Sequence, residues 1–341
     1  MRTFDGYRRG INFGGWLSQC GFDYTEQRYS TFITEADIER IAGWGLDHVR
    51  VPVDYNVIQN DDGSFIESGW KHIDDAVDWC GKHGLKLVID LHRTAGYSFG
   101  EKDRATFFES KPHQDMFVKL WQEMARRYAK YSDRVSFELL NEVTERSMAE
   151  PWNRIIARTV AAIREISKDV KIIYGGIGYS SIYGTTLLEA PADENIVFTF
   201  HCYSPHIFTH QAAHWERNIP KDYRIEYPGD ISVYRRDAAK YNYGSVEELE
   251  LVDGSFSSDF FEKLFAPALE VAEKFDVPLY CGEYGAIDNA DPQSTLRWIT
   301  DINAANEKFG IPRALWTYKQ MDFGLIGDHY APVRERIIEH L

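Results

Sequence analysis

Short apolar runs along this chain alternate with longer stretches in which apolar residues recur every three to four positions. The runs read as buried strands at Gly10–Trp16, Asp47–Val53, Leu85–Leu91, Val135–Leu140, Lys171–Gly176, Asn195–His201, Pro278–Gly282 and Arg313–Thr317. They are rich in β-branched and aromatic residues and bounded by Gly, Pro or Asp, the pattern of parallel strands covered on both faces. The stretches between them carry helix signals. Thr34-Glu-Ala-Asp37 resembles a capping box ahead of Ile38–Trp44, and Ser68–His83 aligns Trp70, Ile73, Val77 and Cys80 on one face. Gln114–Tyr131, Pro151–Ser167, Asp259–Phe275, Gln293–Asn306 and Val333–Leu341 have the same character, and Pro151 suits a helix start. Strands alternating with helices in this number predict an α/β chain folded as a (β/α)8 TIM barrel, one domain over residues 1–341. A doubly wound open sheet would carry a phosphate-binding glycine turn after its first strand. Neither Gly10-Ile-Asn-Phe-Gly14-Gly15 nor Gly175-Gly176-Ile-Gly178 has that spacing.

One interval breaks the rhythm. Between the sixth and seventh strands the chain is far longer than one helix requires, and the excess falls at residues 207–257. It holds many tyrosines and follows a strand, so it is expected to emerge on the C-terminal face as a small inserted subdomain beside a cleft. Around its start, His206, His210 and His214 stand at i, i+4 and i+8; on a helix they would share a face, packed, solvated or able to take a metal.

Composition narrows the choices. A net charge of −15 over 341 residues disfavours nucleic acid and anionic membrane surfaces and suits a neutral substrate. Aromatic residues make up 14%, which serves a core and equally a surface for flat apolar sugar faces. Cys20, Cys80, Cys202 and Cys281 form no metal-binding spacing and read as free, buried thiols. No apolar run is long enough to span a bilayer, and the first residues lack the apolar stretch of a signal peptide. The chain is therefore expected to be cytoplasmic, or secreted with a leader already removed, and monomeric.

A parallel barrel delivers its chemistry from the C-terminal ends of its strands. The polar residues there are Arg50, His92, Asn141 and Glu142, His201 and Tyr203, Glu283, and beside them Trp316. Glu138 and Glu142 are separated by an even offset and so point the same way; Glu138 lies deeper, where a buried ion pair is its natural role. Two acids facing one another, Glu142 and Glu283, are the minimum equipment for cleaving a glycosidic bond.

These segments carry a resemblance. Leu140-Asn141-Glu142, His201-Cys202-Tyr203 and Tyr280-Cys281-Gly282-Glu283-Tyr284-Gly285 resemble the signature segments of glycoside hydrolase family five, the cellulase family. So do Arg50 in Asp47-His-Val-Arg-Val-Pro, His92 in Ile89-Asp-Leu-His, Trp316 in Ala314-Leu-Trp, and the opening Gly10-Ile-Asn-Phe-Gly-Gly-Trp16. The likeness runs through nearly the whole chain in order. Within the family it is most similar to clostridial-type endoglucanases with a subdomain added after strand six. It departs from the commonest pattern at Val143, where Pro usually follows the Asn-Glu pair. The resemblance implies a retaining, endo-acting β-1,4-glucanase working on poly- or oligosaccharide, with no metal and no cofactor. Mixed-linkage β-glucanase, mannanase and xyloglucanase activities are alternatives on the same scaffold. It implies that Glu142 is the acid/base and Glu283 the nucleophile. Arg50 and Tyr203 would support Glu283, and Asn141 would bond the sugar 2-hydroxyl. His92 and His201 would orient hydroxyls and the two acids, and Trp316 would stack against the ring.

Overall fold

The computed structural model describes residues 1–100 and 106–341. Eight parallel strands close into a barrel in sequence order: β1 (Arg9–Asn12), β2 (His48–Asp54), β3 (Lys86–Arg93), β4 (Val135–Glu138), β5 (Lys171–Gly175), β6 (Ile196–Cys202), β7 (Leu279–Tyr284) and β8 (Arg313–Leu315). β1 pairs with both β2 and β8, so no sheet edge remains open.

Several strands are shorter than their apolar runs. β1 stops at Asn12 because Gly15 turns the chain with φ +78°. β4 stops at Glu138, although Leu139 N–H still donates to Ile173 and Asn141 N–H to Leu91. The tips are thus held by single hydrogen bonds rather than by a continuous ladder, which frees Asn141 and Glu142 from strict alternation.

Alternation divides the barrel residues into two sets. Outward-facing Leu87, Ile89, Phe137, Ile172, Phe198, Phe200 and Cys281 join one large core with the helices. Val88, Ile173, Val197, Tyr280 and Ala314 face inward and form a separate cluster with Phe4 and Tyr7. The N-terminal segment thereby plugs the lower mouth, with the Phe4 and Tyr7 rings stacked at 4.0 Å.

The helices begin within three residues of the expected starts: the one expected from Gln114 begins at Lys111, and the one expected from Pro151 begins at Ala149. Thr34 and Asp37 form a reciprocal capping box for Glu35–Gly43. Glu67–Lys82 buries Trp70, Ile73, Val77 and Cys80. All four cysteines are buried and free.

The β6–β7 connection carries short helices at His206–Thr209, Ile231–Tyr241 and Val246–Leu249 before the long helix Ser258–Phe275. It is fastened to the helix Pro292–Phe309 by Tyr227, whose hydroxyl donates to Asp301 at 2.8 Å, and by Arg297, which donates to the Tyr227 carbonyl. Its three histidines do not share a helix face. The first helix ends after one turn, and Ala212 at φ +52° redirects the chain. His206 and His210 stack at 4.1 Å, while His214 is exposed and faces Asp322 at 3.2 Å.

Candidate active site

β2 carries Arg50 inward, fully buried, and its guanidinium organises the upper barrel. Nε and Nη2 donate to the two oxygens of Glu138 at 2.7 and 2.9 Å. Nη1 donates to Asn12 Oδ1 at 2.9 Å and to Glu283 Oε1 at 2.7 Å. Nη2 also donates to Asn141 Oδ1 at 2.9 Å and stands 3.1 Å from Asp90 Oδ2. The planar fork of an arginine is the side chain that can meet this many acceptors at once. One cation cannot neutralise Asp90, Glu138 and Glu283 together in a dry interior. Burial accordingly pushes the Asp90 carboxyl up to about 7, and Glu138 is raised for the same reason.

Glu283 reaches Arg50 through a local irregularity. Alternation from inward Tyr280 would put Gly282 inside and Glu283 outside. The β6–β7 pairing instead steps from Phe200↔Cys281 to His201↔Glu283, a bulge at Gly282 that turns Glu283 inward. A Cβ at Gly282 would lie 2.8 Å from Thr199 Oγ1, so the bulge needs glycine. Asn12 secures it, donating from Nδ2 to the Gly282 carbonyl at 3.0 Å. The second carboxylate oxygen of Glu283 accepts the Tyr203 hydroxyl at 2.9 Å.

Glu142 sits at the tip of the β4 segment on the opposite side of the mouth. His201 Nδ1 lies 2.8 Å from its Oε1 and 3.6 Å from Glu283 Oε2, bridging the two acids. Burial holds the imidazole neutral. Its Nε2 is buried without a protein partner. Placing the single proton on Nδ1 therefore makes His201 a donor to Glu142 and leaves only a lone pair unpartnered. Burial pushes the Glu142 carboxyl up to about 8, against the pull of Arg50 and with a smaller push from Glu138. Exposure separates this acid from its deeper neighbours. The Glu142 side chain is 13% exposed and that of Glu283 6%, while Arg50, Asp90 and Glu138 are at 0%. The first two are the acids a ligand in the cleft can touch.

His92 stands on β3 with Nδ1 2.7 Å from Asp90, so it is turned to that carboxylate rather than to either glutamate of the pair. Its ring lies parallel to the Trp316 indole at 5.8 Å. Gly14 leaves room for that indole, since a Cβ there would be 2.8 Å from Trp316 Cη2. Trp316 packs with Ala213, Ile287, Phe323 and Tyr203 as one wall of the mouth. All eight residues singled out from the sequence thus gather around this mouth. Asn12 and Asp90 were missed. Both lie on inner strand faces, and Asp90 is two residues from His92, so alternation would have found it.

One group among the described residues has the spacing of a cation site: atoms of Glu142, His201 and Glu283 lie within 4.8 Å of one another. The Arg50 guanidinium, 2.7 Å from Glu283, already supplies positive charge to this cluster and opposes a second cation there. The same geometry has a better fit. Two accessible carboxyls at this spacing, one desolvated and one held by a cation, are the equipment of a glycosidase acting by double displacement.

Comparisons with known proteins agree on the class. The model of the family "Cellulase (glycosyl hydrolase family 5)" matches residues 12–322. The chain is 44% identical over 310 residues to cellodextrinase A of Ruminococcus flavefaciens, covering 90% of this chain and 84% of that one. It is 38% identical over 341 residues to endoglucanase C of Acetivibrio thermocellus, covering 98% of each. Among solved structures, the cellulose synthase subunit Z of Clostridioides difficile superposes with a TM-score of 0.77 at 26% identity, over 98% of this chain and 99% of that one. The Cel5A endoglucanase of Thermotoga maritima, solved with cellobiose, superposes with a TM-score of 0.76 at 24% identity, over 98% and 97%, and shares the fold. The protein is a glycoside hydrolase. It belongs to glycoside hydrolase family 5, the cellulase family.

Proposed function

We propose that the enzyme hydrolyses internal β-1,4 linkages of glucan chains with retention of configuration, Glu283 acting as nucleophile and Glu142 as acid and then base. The observation that carries this reading is the pair itself: two cleft-facing carboxyls with ligand atoms within 4.8 Å, in opposite environments. That separation favours the short arrangement of retaining enzymes, about 5–5.5 Å, over the ~6.5–9.5 Å that an intervening water requires.

In the first step a Glu283 oxygen attacks the anomeric carbon while the C–O bond to the leaving sugar breaks. The Glu142 carboxyl gives its proton to the departing oxygen. In the second step the Glu142 carboxylate takes a proton from water, the water oxygen attacks the anomeric carbon, and Glu283 leaves as the free carboxylate. A Glu142 carboxyl raised to about 8 enters the first step protonated at neutral pH. Arg50 and Tyr203 hold the two oxygens of Glu283 in place. Asn141 presents its amide nitrogen to the sugar 2-hydroxyl because its oxygen is engaged by Arg50. Trp316 offers the ring a flat wall.

Glucan as the substrate is supported by relatives described as a cellodextrinase and an endoglucanase. Endo action is supported by exposed Phe22, Tyr179, Tyr183 and Trp215, which stand on the connections following β1, β5 and β6, the face on which a parallel barrel opens its cleft. Among the described residues no helix is long and apolar enough to cross a membrane.

A 2-fluoro cellobiosyl donor should label Glu283, seen by peptide mass spectrometry. Glu283→Gln should lose the label and turnover by on the order of a thousandfold or more. Labelling elsewhere, or initial α-product in an NMR time course, refutes the assignment. Hydrolysis of mannan and not of carboxymethyl cellulose refutes the substrate.

A further inference from the structure

The backbone around Glu142 is held carbonyl by carbonyl. The Asn141 carbonyl accepts the buried Ser180 hydroxyl at 3.0 Å. The Glu142 carbonyl accepts the Tyr97 phenol at 2.6 Å. The Val143 carbonyl accepts two N–H groups, from Gly178 at 2.8 Å and Tyr179 at 3.2 Å. The Tyr97 oxygen in turn accepts the Thr144 N–H at 2.9 Å, so one phenol closes both sides of the Glu142–Thr144 segment.

Both holders are locally constrained. Gly178, Tyr179 and Ser180 run consecutively through the left-handed region with φ of 71°, 60° and 50°, a conformation that costs free energy at the two non-glycine positions. Gly175 leaves the space that Ser180 Oγ occupies, for a Cβ there would be 2.6 Å away. Tyr97 sits in a tight turn just past β3, where its N–H donates to the Thr94 carbonyl at 2.9 Å and its carbonyl accepts the Thr94 N–H at 3.2 Å. Its ring is buried against Phe107 and Phe108.

We propose that the Tyr97 phenol is a positioning group for the acid/base carboxyl, with the left-handed turn at 178–180 completing a clamp on the flanking carbonyls. Beyond Glu138 there is no regular strand pairing to fix this segment, and Val143 stands where a ring-locked proline would restrain it. The clamp supplies the missing restraint, and it acts on Glu142 through the main chain without touching substrate. This rests on the reading of Glu142 as the acid.

The test exploits leaving groups. Cleavage of cellotetraose needs a proton delivered to the departing oxygen, whereas 2,4-dinitrophenyl β-cellobioside departs without one. Tyr97→Phe should lower kcat/KM on cellotetraose by about tenfold and on the dinitrophenyl substrate by less than about twofold, as misplacement of a proton donor predicts. Ser180→Ala should split the substrates in the same direction by about threefold, and supplies the test if Tyr97→Phe does not fold. Equal losses on both substrates, or no loss on either, overturn the proposal. Glu142→Ala measured alongside separates the two readings. If it fails to split the substrates, the acid assignment itself is wrong. If it splits them and the clamp variants do not, only the clamp is wrong.

Discussion

Val88 and Asp90 are neighbours on the inner face of β3, as Ala314 and Trp316 are at β8. Yet the lower member of each pair packs among Phe4, Tyr7 and Tyr280, and the upper one sits beside charge or cleft. A step of two residues along one strand therefore separates a largely apolar, aromatic layer from an ionic one. The lower layer is filled volume with two local hydrogen bonds, the Ser136 hydroxyl to the Tyr7 phenol at 2.7 Å and the Tyr280 phenol with His48 Nε2 at 3.0 Å. The upper layer holds several carboxyls around one guanidinium, and burial raises Asp90 and Glu138 in spite of the pull of Arg50. The difference teaches where the barrel stores stability and where it gives stability up for chemistry.

The severest way to break this contrast is Arg50→Met. It leaves Glu138, Asp90 and Glu283 buried without their cation, and should cost about 3–5 kcal/mol in denaturant unfolding together with nearly all turnover. Retained activity would mean that the guanidinium is not the organiser of the upper layer. Tyr7→Ala attacks the other layer. Removing this stacked, buried ring should cost about 3 kcal/mol while kcat/KM on glucan changes by less than about twofold, because no catalytic group touches it. A large kinetic effect would show the two layers to be coupled.

Glu142→Gln sharpens the electrostatic side. The folded-state pKa of Glu142 is raised by burial from an ordinary 4.5 to about 8. The stability contributed by its neutral form is therefore fully present below the ordinary value and is lost as pH rises through the folded one. The melting temperature of the variant should gain on the native protein between about pH 5 and about pH 8.5. A difference that stays constant across that window would refute the raised pKa. The alkaline limb of kcat/KM in the native enzyme should fall in the same region. The smallest effect belongs outside both layers. His214→Ala breaks only exposed contacts, with Asp322 and with the edge-on ring of Trp215, and should change stability by less than about 1 kcal/mol.

The strands, their order and the residues at their tips were legible because apolar runs and helix caps are local signals. Parity alone put Glu138 and Glu142 on one face, and the deeper acid does pair with Arg50. The same rule misplaces Glu283. Counted from Tyr280 it should face the helices, and it faces the cleft only because β7 bulges at Gly282 against β6, under a hydrogen bond from Asn12 in a strand some 270 residues away. No short window of sequence contains that information. The histidines of the β6–β7 connection fail for the opposite reason: a helical spacing was present, but Ala212 reverses the chain before the third can join.

The amino-acid sequence by itself therefore determined which elements form, that they alternate, and which acids and helpers stand near the strand ends. Those are consequences of periodicity and of one residue type at one place. Tertiary structure decided which face each acid presents, that one arginine serves Glu138, Glu283, Asn12, Asn141 and Asp90 together, and that the Glu142 carboxyl is desolvated while Glu283 is held by donors. It also recruited Tyr97 and Ser180, from two separate constrained turns, to the carbonyls at and beside Glu142. Desolvation and hydrogen-bond geometry depend on what closes around a group from distant parts of the chain, and that is settled only when the barrel shuts.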